Sequence, residues 1–240
     1  MRRTIAKVKH SLIGFDQLKT YKIIFFSFCL VVLNLQAQQS SNKLWTEIGI
    51  DIPIARQWEL GLSQNLRLKE NYETIDNFFT EADVHFKPSK RIDLSAQFRF
   101  LRKNDNRGAI QGYQSFFRYR LAAEFKQKIK LGKLAFRSAY QNRNSLQGLD
   151  KDKQAIRFKP SFELNIKNWS YDPTIFVEYI KEVEGDLEKS YRYGLSTSIK
   201  ISKNQKLGVR YFLETSKDVT MIKQKYHVIR LKYNFDWNRN

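Results

Sequence analysis

The chain has 240 residues, enough for one domain or two, and its 42% hydrophobic and 28% charged residues exclude a chain that is disordered throughout. Its formal net charge of +19 at pH 7 is typical of proteins that contact nucleic acid or an acidic surface. After the N-terminal region no stretch approaches 18 consecutive apolar residues, which excludes a transmembrane helix from the remainder of the chain.

The N-terminal region has the three parts of a secretory signal peptide. A long basic segment precedes an apolar run over residues 23–35, and Ala37 then offers a cleavage site. The run is too short to span a membrane comfortably, although an uncleaved anchor is the alternative interpretation. The sequence therefore predicts a signal peptide over residues 1–37 and a mature domain over 38–240. The mature domain has no cysteine, because the only one, Cys29, lies in the predicted signal peptide.

Strict alternation of apolar and polar residues is the main pattern of the mature chain. It is clearest over residues 91–100, where Leu94 and Phe98 fall on one face and Gln97 and Arg99 on the other. Side chains alternate across a strand with a period of two, so this segment reads as a β-strand with one apolar and one charged face. The pattern predicts eleven strands in chain order, over residues 44–52, 57–68, 76–86, 91–100, 114–126, 133–143, 156–166, 174–179, 191–201, 207–214 and 227–237.

Three features of these segments favour a membrane barrel over a soluble β-sandwich, which stays open as the alternative. The apolar face runs for about 9 to 12 residues per strand, the length of a tilted transmembrane strand. Two kinds of connection are predicted to alternate strictly, short turns at Pro53, Pro88, Lys128, Asn168 and Asn204 and longer loops at Asn71, Asp105, Leu146, Glu184 and Lys217. Aromatic residues stand at strand ends on the apolar face, as in interfacial girdles: Trp58, Tyr119, Tyr140, Tyr179, Tyr191, Tyr233 and Trp237.

The predicted fold is therefore all-β, an antiparallel transmembrane β-barrel of about ten to twelve strands. Closure is required in lipid because each unpaired backbone group at an open sheet edge is costly there. Barrels of this kind usually have an even number of strands, so one of the eleven segments is expected to be split, missed or peripheral. Fold and signal peptide together predict an outer-membrane location, with membrane lipid as the immediate partner.

Four short motifs carry a resemblance to a known family. They are L-W-T-x-x-G over residues 44–49, W-x-L-x-L over 58–62, F-F-T-E-A over 78–82 and F-R-Y-R over 117–120. With these motifs, essentially the whole mature chain resembles the domain-of-unknown-function 2490 family. The resemblance implies an outer-membrane β-barrel of a Gram-negative bacterium. It supplies no established activity and no catalytic residue.

Arginines and carboxylates share the polar face, which a barrel would turn towards its lumen. One interpretation is an arginine–carboxylate network that plugs a small barrel, and it is favoured because about ten strands leave little room between long side chains. The other interpretation is a basic pore lining that prefers anions, with small anions as ligands if the lumen is open. The candidate network comprises Arg99, Arg118, Arg120, Glu124, Arg137, Arg157, Glu163 and Arg210.

Motifs for catalysis are scarce, and no catalytic residue, metal or cofactor is predicted. His85 lies beside Asp83 and Glu81 at a short-turn end, whereas a barrel hydrolase would place its Ser–His pair near the long loops. Metal-ligand spacings and phosphate-binding loops are not found in the sequence. The basic residues are spread through the strands instead of forming a patch with stacking aromatics, which argues against nucleic acid binding.

The sequence thus predicts a non-enzymatic outer-membrane barrel of unspecified activity, structural or weakly pore-forming. The alternative is a barrel enzyme that acts on lipid or lipopolysaccharide.

Overall fold

A computed structural model describes residues 41–106, 111–148, 150–169, 171–217 and 223–237. The predicted signal peptide, residues 1–37, lies outside these described residues. Within them, no helix is long and apolar enough to cross a membrane. The described residues form eleven strands, β1 Ser41–Ala55, β2 Trp58–Lys69, β3 Thr74–Phe86, β4 Ile92–Asp105, β5 Gly112–Ile129, β6 Gly132–Ser145, β7 Lys153–Leu164, β8 Thr174–Glu184, β9 Lys189–Ser202, β10 Gln205–Lys217 and β11 Lys223–Asp236.

The strands close into a single barrel, which confirms the predicted all-β barrel of ten to twelve strands. Consecutive strands pair antiparallel all the way round. The first and last strands then pair in parallel, from Ser41 opposite Tyr226 to Asp51 opposite Asp236. The expectation of an even number is wrong, because this parallel seam lets an odd number of strands close without leaving an edge.

Two ends of the barrel are distinguished by their connections. The turn end carries the connections that follow β1, β3, β5, β7 and β9, and the loop end carries those that follow β2, β4, β6, β8 and β10. The predicted strict alternation of short and long connections is wrong, because the longest connection, 165–173, lies at the turn end. It folds back on itself, since the Ile166 amide donates to Asp172 Oδ1 at 3.1 Å and the Trp169 amide to the Ile166 carbonyl at 3.0 Å.

The charged segment 181–189, which was expected as a loop, is mostly strand. Strand β8 continues to Glu184 and β9 begins at Lys189, so only four residues connect them. Backbone pairing between β8 and β9 continues as far as Lys181, which stands opposite Lys189 in the ladder. Charged side chains at the loop end therefore belong to the barrel wall and have fixed strand positions.

The wall of the barrel is inverted relative to a soluble protein, and strand β4 shows it best. Phe98 and Phe100 face outwards and are 46% and 51% exposed, whereas Gln97 and Arg99 face inwards and are 5% and 7% exposed. Soluble proteins seldom bury arginine while exposing a continuous row of phenylalanine. The alternation predicted from the sequence therefore separates an apolar outer face from a polar inner face.

A cationic cavity inside the barrel

A cavity of about 1190 Å³ lies inside the barrel, and cations dominate its wall. Alternation turns every second residue of a strand inwards, so the polar faces of the strands form the lining. Six acidic side chains line the cavity, Glu47, Glu81, Asp83, Glu163, Asp172 and Glu178. Twelve cationic side chains line it, Arg67, Arg99, Arg118, Arg120, Arg137, Arg157, Lys159, Arg192, Lys200, Arg210, Arg230 and Lys232. Half of this positive charge thus has no counterpart among the lining carboxylates.

Glu81 is the centre of the ion pairs on the β3–β5 side. It accepts hydrogen bonds from Arg99, whose guanidinium is buried beside it, and lies 3.4 Å from the Arg118 guanidinium. Gln97 connects the next carboxylate, because its amide oxygen accepts from Arg118 at 2.9 Å and its amide nitrogen donates to Asp83 at 2.6 Å. Two arginines and two carboxylates are therefore joined across three neighbouring strands.

Glu178 is the centre of the ion pairs on the β7–β10 side. Arg157 donates to Glu178 Oε1 from Nε at 3.1 Å and from Nη2 at 2.7 Å, and to the Gln141 side-chain oxygen at 2.9 Å. Arg192 donates to Glu178 Oε2 at 3.3 Å and is also paired with Glu214. Charge-assisted bonds of this kind are stronger than neutral ones, and here they join five adjacent strands, β6 to β10.

The parallel seam between β1 and β11 carries polar contacts of its own. Glu47, which is 5% exposed, pairs with Arg230 and with Lys232 Nζ at 3.0 Å. Nearer the turn end, the Asn234 amide donates to Asp51 Oδ2 at 2.6 Å. Side chains of the first and last strands are thus bonded to one another on the inner face, in addition to the backbone ladder.

Besides the exposed Lys200, four lining cations have no such partner among the described residues. In the part of the chain that the structure describes, no carboxylate lies within ion-pair distance of Arg67, Arg120, Lys159 or Arg210. Lys159 Nζ lies 4.6 Å and the Arg210 guanidinium carbon 5.0 Å from the centre of the Phe176 ring, so these two cations flank one aromatic side chain. Among the described residues, Arg210 Nε is buried without a hydrogen-bond partner. An anion between these groups would supply the missing acceptor.

The ladder register adds to this positive field. Arg137 stands directly opposite Lys159, and Arg210 directly opposite Arg230. Like charges in opposed positions of an antiparallel pair destabilise the sheet. Their placement on the wall of a cavity gives a bound anion two cations to contact at once.

Aromatic rings and arginines form a layer on the loop-end side of the cavity. Arg67 lies over the ring of Trp45 at 3.8 Å and over that of Phe79 at 4.9 Å, and Arg99 lies over Phe79 at 3.5 Å. The Trp45 ring meets Phe212 edge to face at 5.2 Å. Beyond this layer, inward side chains remain buried, among them Asn77, Gln114 and Ser216. We use the name arginine–aromatic layer for the two arginines and three rings in contact, Arg67, Arg99, Trp45, Phe79 and Phe212.

Comparison with known families agrees with this architecture. The family described as "Protein of unknown function (DUF2490)" matches residues 42–238. The chain belongs to this family. The resemblance predicted from four short motifs is thereby confirmed over residues 42–238. Searches of curated proteins and of solved structures each found no match.

The structure of this DUF2490 barrel divides the eight predicted network residues into groups. Arg99 and Arg118 share Glu81, and Arg157 binds Glu178, whereas Arg120 and Arg210 have no carboxylate partner among the described residues. The remaining predicted members lie nearer the turn end, where Glu163 pairs with Lys133 at 2.9 Å and Glu124 lies 3.6 Å from Lys126 and 4.0 Å from Arg137.

Glu81, Glu178, Glu47 and Glu214 hold the buried arginines, although the predicted network did not include them. Alternation already places all four on the inner face. Which arginine meets which carboxylate depends on the register between strands, and that register is not visible in one sequence.

His85 of this DUF2490 barrel lies at the turn end and belongs to a local charge cluster. Its Nδ1 is 2.9 Å from Asp93 Oδ1, and Lys126 Nζ is 3.1 Å from Asp93 Oδ2. Among the described residues, no group of three or more His, Cys, Asp or Glu side chains could hold a metal ion. The cluster links β3, β4 and β5 where these strands approach their turns.

Two loop-end carboxylates are stabilised in their charged form. Asp152 accepts the Ser145 amide at 2.9 Å and the Asn144 side-chain amide at 3.1 Å, and these hydrogen bonds lower its pKa. The hydrogen bond from the Lys153 ammonium lowers the pKa of Asp186 in the same way. Both carboxylates thus favour the ordered form of the loop end at neutral pH.

Proposed function

We propose that this DUF2490 chain is a non-enzymatic outer-membrane β-barrel whose cavity binds small anions and whose loop end is closed. The observation that carries the proposal is the inversion of the barrel wall, with an apolar outer face and a cationic inner face. A soluble protein would pay for the exposed apolar surface, whereas lipid accepts it.

The outer face supports the membrane part of the proposal. Its exposed apolar side chains encircle the barrel and include Ile48, Leu62, Leu94, Phe98, Leu121, Phe136, Phe158, Val177, Tyr193 and Leu231. Strands of 11 to 18 residues are at least as long as the 9 to 11 that a tilted strand needs to cross a bilayer. Closure satisfies the backbone groups that lipid could not. The predicted signal peptide would direct such a barrel out of the cytoplasm.

Cell fractionation tests the location. Expressed in a Gram-negative host, the chain should be recovered with outer membranes, resist extraction by high salt and dissolve only in detergent. Its N-terminal residue should be near Gln38. Recovery in the soluble periplasm, or a mature protein that begins at Met1, would contradict the proposed location.

The excess of cations in the cavity lining supports the proposal that the cavity binds small anions. Arg120, Lys159 and Arg210 face the cavity without a carboxylate partner in the described part of the chain, and Arg137 stands opposite Lys159. The lining continues to the turn end through Glu163, Asp172 and Lys200, while the arginine–aromatic layer closes the other side. In the usual orientation of outer-membrane barrels, short turns face the periplasm, so anions would enter from there.

Calorimetric titration with inorganic phosphate at low ionic strength tests the anion part. The triple substitution R120Q/K159Q/R210Q, named the cavity variant, should weaken phosphate binding at least tenfold. The matched control removes three lysines from the outer face at the loop end, K181Q/K189Q/K217Q, and should bind phosphate as the wild type does. Equal affinity in all three proteins would contradict an anion site in the cavity.

We also propose that the barrel carries out no reaction on lipid or lipopolysaccharide. What supports this is the position of His85, whose ring is bonded to Asp93 at the turn end. Asp93 is itself paired with Lys126, so this acid–base pair is part of a structural cluster linking three strands. A lipid hydrolase activity that depends on His85 would contradict the proposal.

A further inference from the structure

Three lysines form a row on the outer face of the barrel at the loop end. In the ladder, Lys181 of β8 stands opposite Lys189 of β9, and Lys189 stands opposite Lys217 of β10. All three side chains are exposed and occupy the outward positions of their strands, because the residues next to them, such as Ser216 and Ile180, are buried inside. The row therefore presents three ammonium groups side by side on the surface that faces lipid in the proposed orientation.

The row has no carboxylate partner in the described residues. The carboxylates next to the row in the chain are engaged elsewhere, since Glu182 pairs with Lys153 at 3.4 Å and Glu188 accepts from the Ser190 hydroxyl at 3.2 Å. Like charges directly opposite one another weaken strand pairing, so an unscreened row is costly to the sheet. A multiply charged anion that contacts neighbouring ammonium groups would offset this cost.

Three tyrosines lie next to the lysine row on the outer face. They are nearer the middle of the strands, and therefore nearer the centre of the bilayer in the proposed orientation. Tyr179 and Tyr191 are opposite one another with ring centres 4.9 Å apart, and Tyr193 stacks on Tyr191 at 6.3 Å. Each is displaced from the row by two or four residues, about 7 or 14 Å along the strand. Tyrosine favours the headgroup level of a membrane, and lysines just beyond it reach the phosphates.

The opposite end of the same strands has a different outer face. There the outward positions carry apolar residues, Ile175 on β8, Ile201 on β9 and Leu207 on β10. The positive charge on the outside of β8–β10 is thus confined to one end of the barrel, level with one layer of headgroups. A charge meant only for solubility would not need this asymmetry.

From this arrangement we infer that Lys181, Lys189 and Lys217 bind the phosphate groups of an anionic membrane lipid, with Tyr179 and Tyr191 against its acyl region. The inference rests on the proposed membrane location and goes beyond it, because it names a lipid class and a site outside the cavity. The ligand is the headgroup of a lipid in the bilayer, and its phosphates replace the carboxylates that the row lacks.

Equilibrium binding of a fluorescent short-chain phosphatidic acid to the purified barrel in neutral detergent tests the inference. Each lysine near a membrane surface contributes enough attraction that K181Q/K189Q/K217Q should weaken binding roughly a hundredfold. The matched control K90Q/K130Q/K203Q removes the same charge from exposed lysines at the turn end and should bind as the wild type does. Unlabelled phosphatidic acid should displace the probe, whereas inorganic phosphate at the same concentration should not.

The inference is overturned if K181Q/K189Q/K217Q, the row variant, binds the lipid as tightly as the wild type. It is also overturned if inorganic phosphate displaces the probe as well as unlabelled phosphatidic acid does. Insertion of each protein into phosphatidylcholine vesicles is measured in parallel and separates the two proposals. If both proteins insert and the row variant binds the lipid as the wild type does, only the lipid site is refuted. A barrel that does not insert refutes the membrane location and the lipid site together.

Discussion

Arg157 donates two hydrogen bonds to a single oxygen of Glu178, and Arg192 binds the other oxygen of the same carboxylate. Arg157 and Glu178 are both largely shielded from solvent, and among the described residues Glu178 is the only carboxylate within ion-pair distance of Arg157. Arg120 lies on the same cavity wall without such a partner among the described residues. The contrast between the two arginines leads to the first prediction.

Replacement of Arg157 by Gln should lower the free energy of unfolding by about 3 kcal/mol, because Glu178 loses its main partner in a shielded site. Replacement of Arg120 by Gln should change it by less than about 1 kcal/mol or raise it, since no ion pair is broken. Urea unfolding of both variants in the same detergent measures the difference. Equal losses would show that the pairs of the inner face do not carry the stability assigned to them.

The outer and inner faces of β5 should respond differently to one added charge. Leu121 points outwards and is 52% exposed, and its neighbour Ala122 points inwards. Leu121→Arg should cost roughly 2 to 4 kcal/mol in a bilayer, because it places a charge near the midplane. Ala122→Arg should cost less if the cavity is hydrated. Refolding yields in lipid vesicles compare the two, and equal damage would refute the assigned alternation.

Gly194 on β9 is required by close packing. A Cβ there would collide with the Tyr211 carbonyl oxygen and lie 2.5 Å from Phe212 Cβ and 2.9 Å from the Phe176 ring. Gly194→Ala should therefore destabilise the barrel by about 1 to 3 kcal/mol. Gly208 is the matched control, because the nearest atoms to its added Cβ are 3.7 Å away, and Gly208→Ala should be neutral or stabilising. Thermal unfolding distinguishes the two, and a tolerated Gly194→Ala would contradict the packing of Phe176 and Phe212.

The connection between β6 and β7 should loosen in acid. Because the pKa of Asp152 is lower in the folded protein than its ordinary value of 3.8, its contribution is present above that value and is lost as the pH falls through the lowered pKa. Amide exchange at Ser145, which donates to Asp152, should lose protection over that range. An Asp152→Asn variant should show little pH dependence there. The same acid response in both proteins would exclude the carboxylate as its cause.

The arginine–aromatic layer predicts a barrel without steady conductance. Purified protein in planar bilayers should give no reproducible channels, because in the proposed closed arrangement Arg67, Trp45 and Phe79 block the lumen. Trp45→Ala should open the layer and produce steps that favour anions, because the exposed lining is cationic. Regular anion-selective steps in the wild type would contradict the closed layer.

Period-two alternation explains how much of the fold the sequence could predict. Each strand is recognisable from neighbouring residues alone, so all eleven could be assigned with ends that differ by a few residues from those observed. The parallel seam between Ser41 and Tyr226 could not be predicted, because it depends on two segments far apart in the chain. Strand β8 was expected to end at Tyr179, since its last residues are charged and resemble a loop.

The sequence could predict which strand face carries the candidate site, but not which side chains pair with one another within it. Alternation places Arg118 and Arg157 inside, whereas their bonds to Glu81 and Glu178 depend on ladder register. Register is set by turns and bulges, such as the shift near Gln154, that leave little trace in one sequence. The volume of the cavity depends on side-chain packing across the lumen, so plugged and open interpretations could not be separated at the sequence level.

Spin-label accessibility along β5 tests the inverted wall most directly. Residues 38–240 contain no cysteine, so in a protein that begins at Gln38 single cysteines can be placed at successive positions from Phe117 to Phe125 and labelled without interference. In lipid vesicles, labels at outward positions such as Leu121 should be reached by oxygen dissolved in the bilayer, and labels at inward positions such as Ala122 should not. Accessibility to oxygen that alternates with a period of two is the predicted result. Labels that are all equally accessible to a water-soluble nickel complex would contradict a membrane barrel.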